Sequence, residues 1–127
     1  MGSAGRPAGR VLVVEDSPEL AATLVDLLEL EGYAAVAAAD GAALAAALAD
    51  PPALVLLDVM MPGMDGPEVC RRLKADPHTW HVPVVFVTAV ADTALAARLG
   101  DCPHDGVLHK PFAADDLFAV VRRHLGG

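Results

Sequence analysis

Leu54-Val-Leu-Leu-Asp58-Val-Met-Met-Pro-Gly-Met-Asp-Gly66 is the stretch that decides the fold. It opens with four consecutive aliphatic residues, breaks at an acid, and runs into a Pro-Gly turn. An unbroken apolar run of this length reads as a strand buried on both faces, the pattern of parallel sheets covered by helices. Four more short apolar runs stand along the chain, at residues 10–14, 33–38, 84–87 and 107–109, and the run around Leu54 covers 53–57. The second is Ala-rich and the fifth is short.

Helical patterns separate the runs. In residues 18–31, Leu20, Leu24, Leu27 and Leu28 share one helix face, with Glu19, Asp26 and Glu29 off it. Ser17-Pro18 supplies a cap and a first-turn proline, and Gly32 a stop. Residues 114–125 repeat the logic with Leu117, Val120, Val121 and Leu125; Asp115 and Asp116 open that helix, and Arg122 and Arg123 lie near its end, as the helix dipole favours. Residues 42–49 have high helix propensity, and 93–99 form the weakest helical pattern. Strict alternation of strand and helix predicts an α/β fold, a doubly wound five-stranded parallel sheet with helices on both faces. Ligands of such sheets bind beyond the carboxyl ends of the strands.

The residues that follow the strands therefore matter most: Glu15, Asp16, Asp58, Thr88 and Lys110. Two carboxylates about 4 Å apart repel by roughly 4 kcal/mol at an effective dielectric near 20. A cluster of three takes up protons or recruits a cation. Mg²⁺ suits an all-oxygen site that leaves positions open for water and phosphate, and Lys110 and the Thr88 hydroxyl are suitable partners for a phosphoryl group.

Composition narrows the classes. The 127 residues suit one compact domain; they are 54% hydrophobic but only 4% aromatic, so the expected core is Leu, Val and Ala. A net charge of −8 argues against nucleic-acid binding by this chain alone, and the Arg71-Arg72 and Arg122-Arg123 pairs read as solvated helix faces. Cys70 and Cys102 show no metal-ligand spacing, which points to a reduced, cytoplasmic chain with Cys70 at or near the core. His78, His81, His104, His109 and His124 also lack ligand spacing and are expected at the surface, and the methionines Met60, Met61 and Met64 in the loop and its packing. No apolar run approaches the roughly 20 residues of a membrane span, and residues 1–9 read as a flexible leader before a domain at 10–125.

The segments VLVVEDSPE (11–19), LVLLDVMMPGMDG (54–66), VPVVFVTA (82–89) and LHKPF (108–112) resemble the signature segments of response-regulator receiver domains in two-component signalling. The resemblance covers nearly all of residues 10–125. It implies a flavodoxin-like (βα)5 fold with strand order 2-1-3-4-5. It also implies that Asp58 is the phosphoacceptor, attacking a phosphohistidine on a sensor histidine kinase or phosphotransfer protein, and that Glu15, Asp16, Asp58 and the Met60 backbone carbonyl hold Mg²⁺. Lys110 and Thr88 would pair with phosphoryl oxygens, small Ala89 would leave room for them, and the Lys110–Pro111 bond would be cis. Such a chain is a signalling phosphoacceptor rather than an enzyme acting on other substrates. Its output is expected through an effector domain or a homodimer formed on the helix 4–strand 5–helix 5 face.

Two features depart from the family pattern. Val107 stands where an aromatic ring usually switches, and the turn Asp101-Cys-Pro-His-Asp-Gly106 replaces a Gly-Ala turn. Apolar Met60 and Val90 flank the route of an attacking water, which implies a long-lived phosphoryl state. Two rivals remain. A phosphatase of the haloacid-dehalogenase type needs a second Asp where Met60 stands. A receiver-like docking module that takes no phosphate draws its support from Val107.

Overall fold

Each apolar run becomes a strand because its side chains alternate between two separately covered faces. The structure, a computed structural model, describes residues 9–125. The expected leader therefore lies almost wholly outside the described residues. In chain order the elements are β1 (Arg10–Val14), α1 (Pro18–Leu30), β2 (Ala34–Ala38), α2 (Gly41–Ala47), β3 (Leu54–Asp58), α3 (Gly66–Ala75), β4 (Val84–Thr88), α4 (Asp92–Leu99), β5 (Gly106–His109) and α5 (Ala114–Leu125). The five strands form one parallel sheet in the order β2-β1-β3-β4-β5, the flavodoxin-like order expected from the sequence. A two-residue antiparallel ladder, Met60–Met61 against Met64–Asp65, follows β3.

The two faces are distinct cores. Leu12, Val14, Val55, Leu57, Val84 and Phe86 pack under α2, α3 and α4 with Leu44, Cys70, Leu73, Leu95 and Leu99. Val11, Val13, Leu54, Leu56, Val85 and Val87 pack under α1 and α5 with Leu24, Leu28, Leu117 and Val121. Full burial of each aliphatic side chain is worth about 1.5–3 kcal/mol, so the central strands anchor the sheet. Ser17 accepts the Leu20 N–H at 3.3 Å, Pro18 opens α1, and Gly32 at φ 93° reverses the chain after it. Among the described residues, no helix is long and apolar enough to cross a membrane.

Several details differ from the sequence reading. Tyr33 is buried but precedes β2, its N–H tied to the Leu28 carbonyl at 3.1 Å. Strands β3 and β4 extend to include Asp58 and Thr88, and β5 begins one residue early, at Gly106. His104 and His124 are half-buried rather than on the surface. The turn before β5 folds beneath the sheet, which sets the His104 ring edge-on to Phe86 at 5.5 Å. Arg71 is half-buried too; its guanidinium donates to the Leu99 carbonyl at 3.1 Å and so ties α3 to the end of α4.

One polar staple holds that turn. Asp105 Oδ2 accepts the Val84 N–H at 2.8 Å and the Lys74 ammonium at 2.7 Å, while Lys74 also donates to the Val82 carbonyl at 3.0 Å. Burial pushes the Asp105 carboxyl up, but the Lys74 and Val84 hydrogen bonds outweigh it and hold the group below its ordinary value. A depressed carboxylate stabilises the fold above its unfolded pKa, and that stabilisation is lost as pH falls through the folded value. Asp105→Asn is expected to cost about 1–2 kcal/mol at pH 7, discounted for partial exposure. The difference from wild type should shrink below about pH 4, read by urea unfolding at a series of pH values.

The first turn of α3 lies close against the end of β3. A Cβ placed on Gly66 would lie 2.8 Å from the Val59 carbonyl oxygen and closer still to that of Asp58. No side chain fits there without moving the backbone beneath Asp58. Gly66→Ala is expected to lower stability by about 1–3 kcal/mol, the usual cost of overpacking, measured as a fall in the urea midpoint at unchanged slope.

Candidate functional site

The carboxyl ends of β1, β3, β4 and β5 meet at one rim, and each delivers a polar group. Glu15 and Asp16 follow β1, Asp58 ends β3, Thr88 ends β4, and Lys110 follows β5. Glu15 is nearly inaccessible at 3% exposure, and Asp58 and Thr88 are also buried, whereas Asp16 is exposed. One oxygen from each of Glu15, Asp16 and Asp58 falls within 4.8 Å of the others.

Lys110 is the counter-charge. Its ammonium donates to Glu15 Oε1 at 3.0 Å and lies 3.6 Å from Asp58 Oδ2. Each carboxylate pair at 4.8 Å or less repels by at least about 3 kcal/mol at an effective dielectric near 20, though exposure of Asp16 weakens its share. One ammonium set against three carboxylates leaves the fully ionised cluster at a charge of −2. The site is thus an oxygen cage with an unbalanced charge, the donor set a hard divalent cation takes.

Backbone amides orient the acids. The Ser17 N–H donates to Glu15 Oε2 at 3.0 Å, and the Met60 N–H to Asp58 Oδ1 at 3.3 Å. Burial raises the Glu15 carboxyl above the ordinary range; the Ser17 amide and Lys110 pull it back, and the Asp58 charge pushes it up further. The Thr88 hydroxyl accepts the Val90 N–H at 2.9 Å, which leaves its own hydrogen to donate. The Lys110–Pro111 peptide is cis, and the Lys110 N–H bonds the Thr88 carbonyl at 2.7 Å, so β5 registers the lysine against β4.

Glu15, Asp16, Asp58 and Lys110 therefore gather their charged groups at one place, and Thr88 ends the neighbouring strand at the same rim. Around it, Ala89 and Met60 are exposed, Met60 by 54%, and Val90 is half-buried. Val107 is half-buried against the α2–α4 core, opposite Phe86 in the β4–β5 register. Sequence reasoning did not single out Ser17 or Gly66 as supports of the site. Gly66 lies within the quoted segment, but only its approach to the Asp58 carbonyl reveals what it does. A groove of about 580 Å³ between α2 and α3, lined by Leu44, Leu48, Val69 and Leu73, includes none of the five site residues.

Comparison with known proteins agrees with this geometry. The profile of the response regulator receiver domain matches residues 11–122. Response regulator PleD of Caulobacter vibrioides is 44% identical over 116 residues, covering 91% of this chain and 26% of that protein. The chain spans between a quarter and a half of the length of the curated relatives it matches. The signal receiver domain of a signal transduction histidine kinase from Syntrophus aciditrophicus superposes with a TM-score of 0.85 at 36% identity, over 94% of this chain and 91% of that one. The receiver domain of a sensor histidine kinase from Pseudomonas aeruginosa PAO1, solved with a magnesium ion coordinated in its active-site cleft, gives 0.84 at 27% identity over 94% and 98%. A chain whose sheet order, matched length and relatives all coincide in this way belongs to the response-regulator receiver-domain family of two-component systems.

Proposed function

We propose that Asp58 accepts a phosphoryl group from a phosphohistidine on a sensor histidine kinase or phosphotransfer protein. The observation that carries this reading is the meeting of three carboxylates with the Lys110 ammonium at one sheet edge. An Asp58 oxygen attacks phosphorus, the P–N bond to the partner's imidazole breaks, and an acyl phosphate forms as the imidazole leaves with the bonding electron pair. Lys110 lies close enough to Asp58 to neutralise a phosphoryl oxygen, and the Thr88 hydroxyl has a hydrogen free to donate to another.

The donor set fits Mg²⁺, with Asp16, Glu15, Asp58 and the Met60 carbonyl as its protein ligands. When bound, such an ion offsets the negative charge that the carboxylates and the phosphoryl group bring together. The exposure of Asp16 suits a site that keeps water on the metal. The chain then acts as a signalling phosphoacceptor in the cytoplasm, catalysing only its own phosphorylation and dephosphorylation. Its output passes to an effector domain or a second copy through the face of α4, β5 and α5. With Val107 half-buried and no ring in its place, that output runs through shifts of the α4–β5 segment rather than ring rotation.

Incubation with acetyl phosphate and Mg²⁺ is expected to add one phosphoryl group by intact mass. Asp58→Ala or chelation of the metal should abolish the gain, and Lys110→Ala should reduce its rate by at least about tenfold, a barrier change of about 1.4 kcal/mol. No mass gain in the wild-type protein would leave the docking-module reading instead.

Met60 and Val90 bear on how long the acyl phosphate lasts, because neither apolar side chain can hold an attacking water. The Met60→Asn, Val90→Glu double variant is expected to lose phosphate about tenfold faster than wild type, read as decay of the phosphorylated mass after the donor is removed. Equal decay rates would remove this assignment.

A further inference from the structure

The Asp58 site has no use for the two thiols that meet below the sheet, on its α3–α4 side. Cys70 belongs to α3 and Cys102 to the turn between α4 and β5, yet both are buried, 0% and 6% exposed, in the same core. Their contacts are reciprocal. Cys70 Sγ donates to the carbonyl of Pro103, the neighbour of Cys102, at 3.2 Å. Cys102 Sγ points at the carbonyl of Pro67, one helical turn before Cys70, at 3.6 Å. Each sulfur thus rests against the backbone beside the other cysteine's segment. Both are free.

A soft metal is not what this pair holds. Among the described residues, the one grouping of three ligand-bearing side chains close enough to share an ion is Glu15, Asp16 and Asp58. His104, two residues after Cys102, does not complete a set with the thiols; its Nδ1 is buried without a hydrogen-bond partner beside Phe86. What remains is two sulfurs from distant parts of the chain, each packed against the other's neighbouring backbone in one core, one on a helix and one on a turn. Gly100, with φ 55°, begins that turn.

We propose that Cys70 and Cys102 form a redox latch, an intramolecular disulfide that ties α3 to the turn leading into β5. Formation removes two electrons and two protons. The sulfur of Cys102, the more accessible of the two, attacks a low-molecular-weight disulfide such as glutathione disulfide, releasing one glutathione thiol. Cys70 then displaces the second glutathione thiol and closes the S–S bond at about 2.05 Å. The two thiol protons end on the two released glutathiones, so the step balances without a further reactant. Burial, with the Cys102 thiol beside it, pushes Cys70 up to about 12. Cys70 is therefore a protonated, slow nucleophile at neutral pH, so closure of the bond is the slow step and the latch answers sustained oxidation rather than brief exposure.

The position gives the bond a consequence. The turn it would fix is the one that Arg71 reaches through the Leu99 carbonyl and that Lys74 staples through Asp105. It leads directly into β5, which carries Val107 and ends at His109, just before Lys110. A covalent tie there limits movement of the α4–β5 segment from the side opposite the carboxylates.

The test uses the whole chain and glutathione disulfide, with no phosphodonor present, so its outcome does not depend on whether Asp58 is phosphorylated. The expected result is a monomer lighter by about 2 Da, with both thiols lost to a thiol reagent. A peptide joining residue 70 to residue 102 should appear, full reversal should follow a dithiol reductant, and the urea midpoint of the oxidised form should rise. Cys70→Ser should stop at a glutathione adduct on Cys102, and Cys102→Ser should leave the buried Cys70 unmodified. If a serine variant does not fold, peptide mapping of the wild-type protein decides alone. Only glutathione adducts, only disulfide-linked dimers, or two intact thiols after oxidation at a urea concentration just below the unfolding transition would each overturn the latch.

Discussion

Three carboxylates held within 4.8 Å of one another must be kept together against their own repulsion, and the rest of the structure answers that demand. Lys110 offsets part of the charge from a position that is itself only 23% exposed, where water screens little. The amides of Ser17 and Met60 add fixed dipoles on the oxygens that Lys110 does not reach. The remaining imbalance is what makes the site chemically useful, because a cluster that cannot neutralise itself favours a bound cation and, beside it, an incoming anionic group.

Such a constellation needs a frame that does not relax. The parallel sheet supplies it by burying β3 and β4 on both faces, so Asp58 and Thr88 are the last residues of strands with no freedom to slide. Register transmits this rigidity sideways: Asp58 pairs with Val87, and Thr88 with His109 just before the lysine. Gly66 lets α3 approach the Asp58 backbone more closely than any side chain would allow. The strain of gathering like charges is thus carried by hydrophobic burial spread over two cores, each larger in energy than the local repulsion.

The departures from the family pattern concentrate in the turn before β5 and in that strand. The turn between α4 and β5 carries the Asp105 staple, the half-buried His104 and the buried Cys102, whose sulfur points at the Pro67 carbonyl. It leads into the strand in which Val107 replaces the usual aromatic. The groups under this turn tie α3, α4 and β4 to the start of that strand.

The sequence by itself determined the alternation of strands and helices, the two-faced burial of the central strands and the five residues at the strand ends. These are local properties: apolar runs, caps, and the residue at which a run breaks. Only the tertiary structure decided which groups became buried, paired or adjacent across long separations. Glu15 is buried while its neighbour Asp16 is exposed, Arg71 reaches α4, His104 turns under Phe86, and the Cys70 thiol reaches the Pro103 carbonyl thirty-three positions away. None of these follows from spacing, because each depends on where a turn lies against a sheet, and that position is set by packing of the whole domain rather than by the residues within the turn.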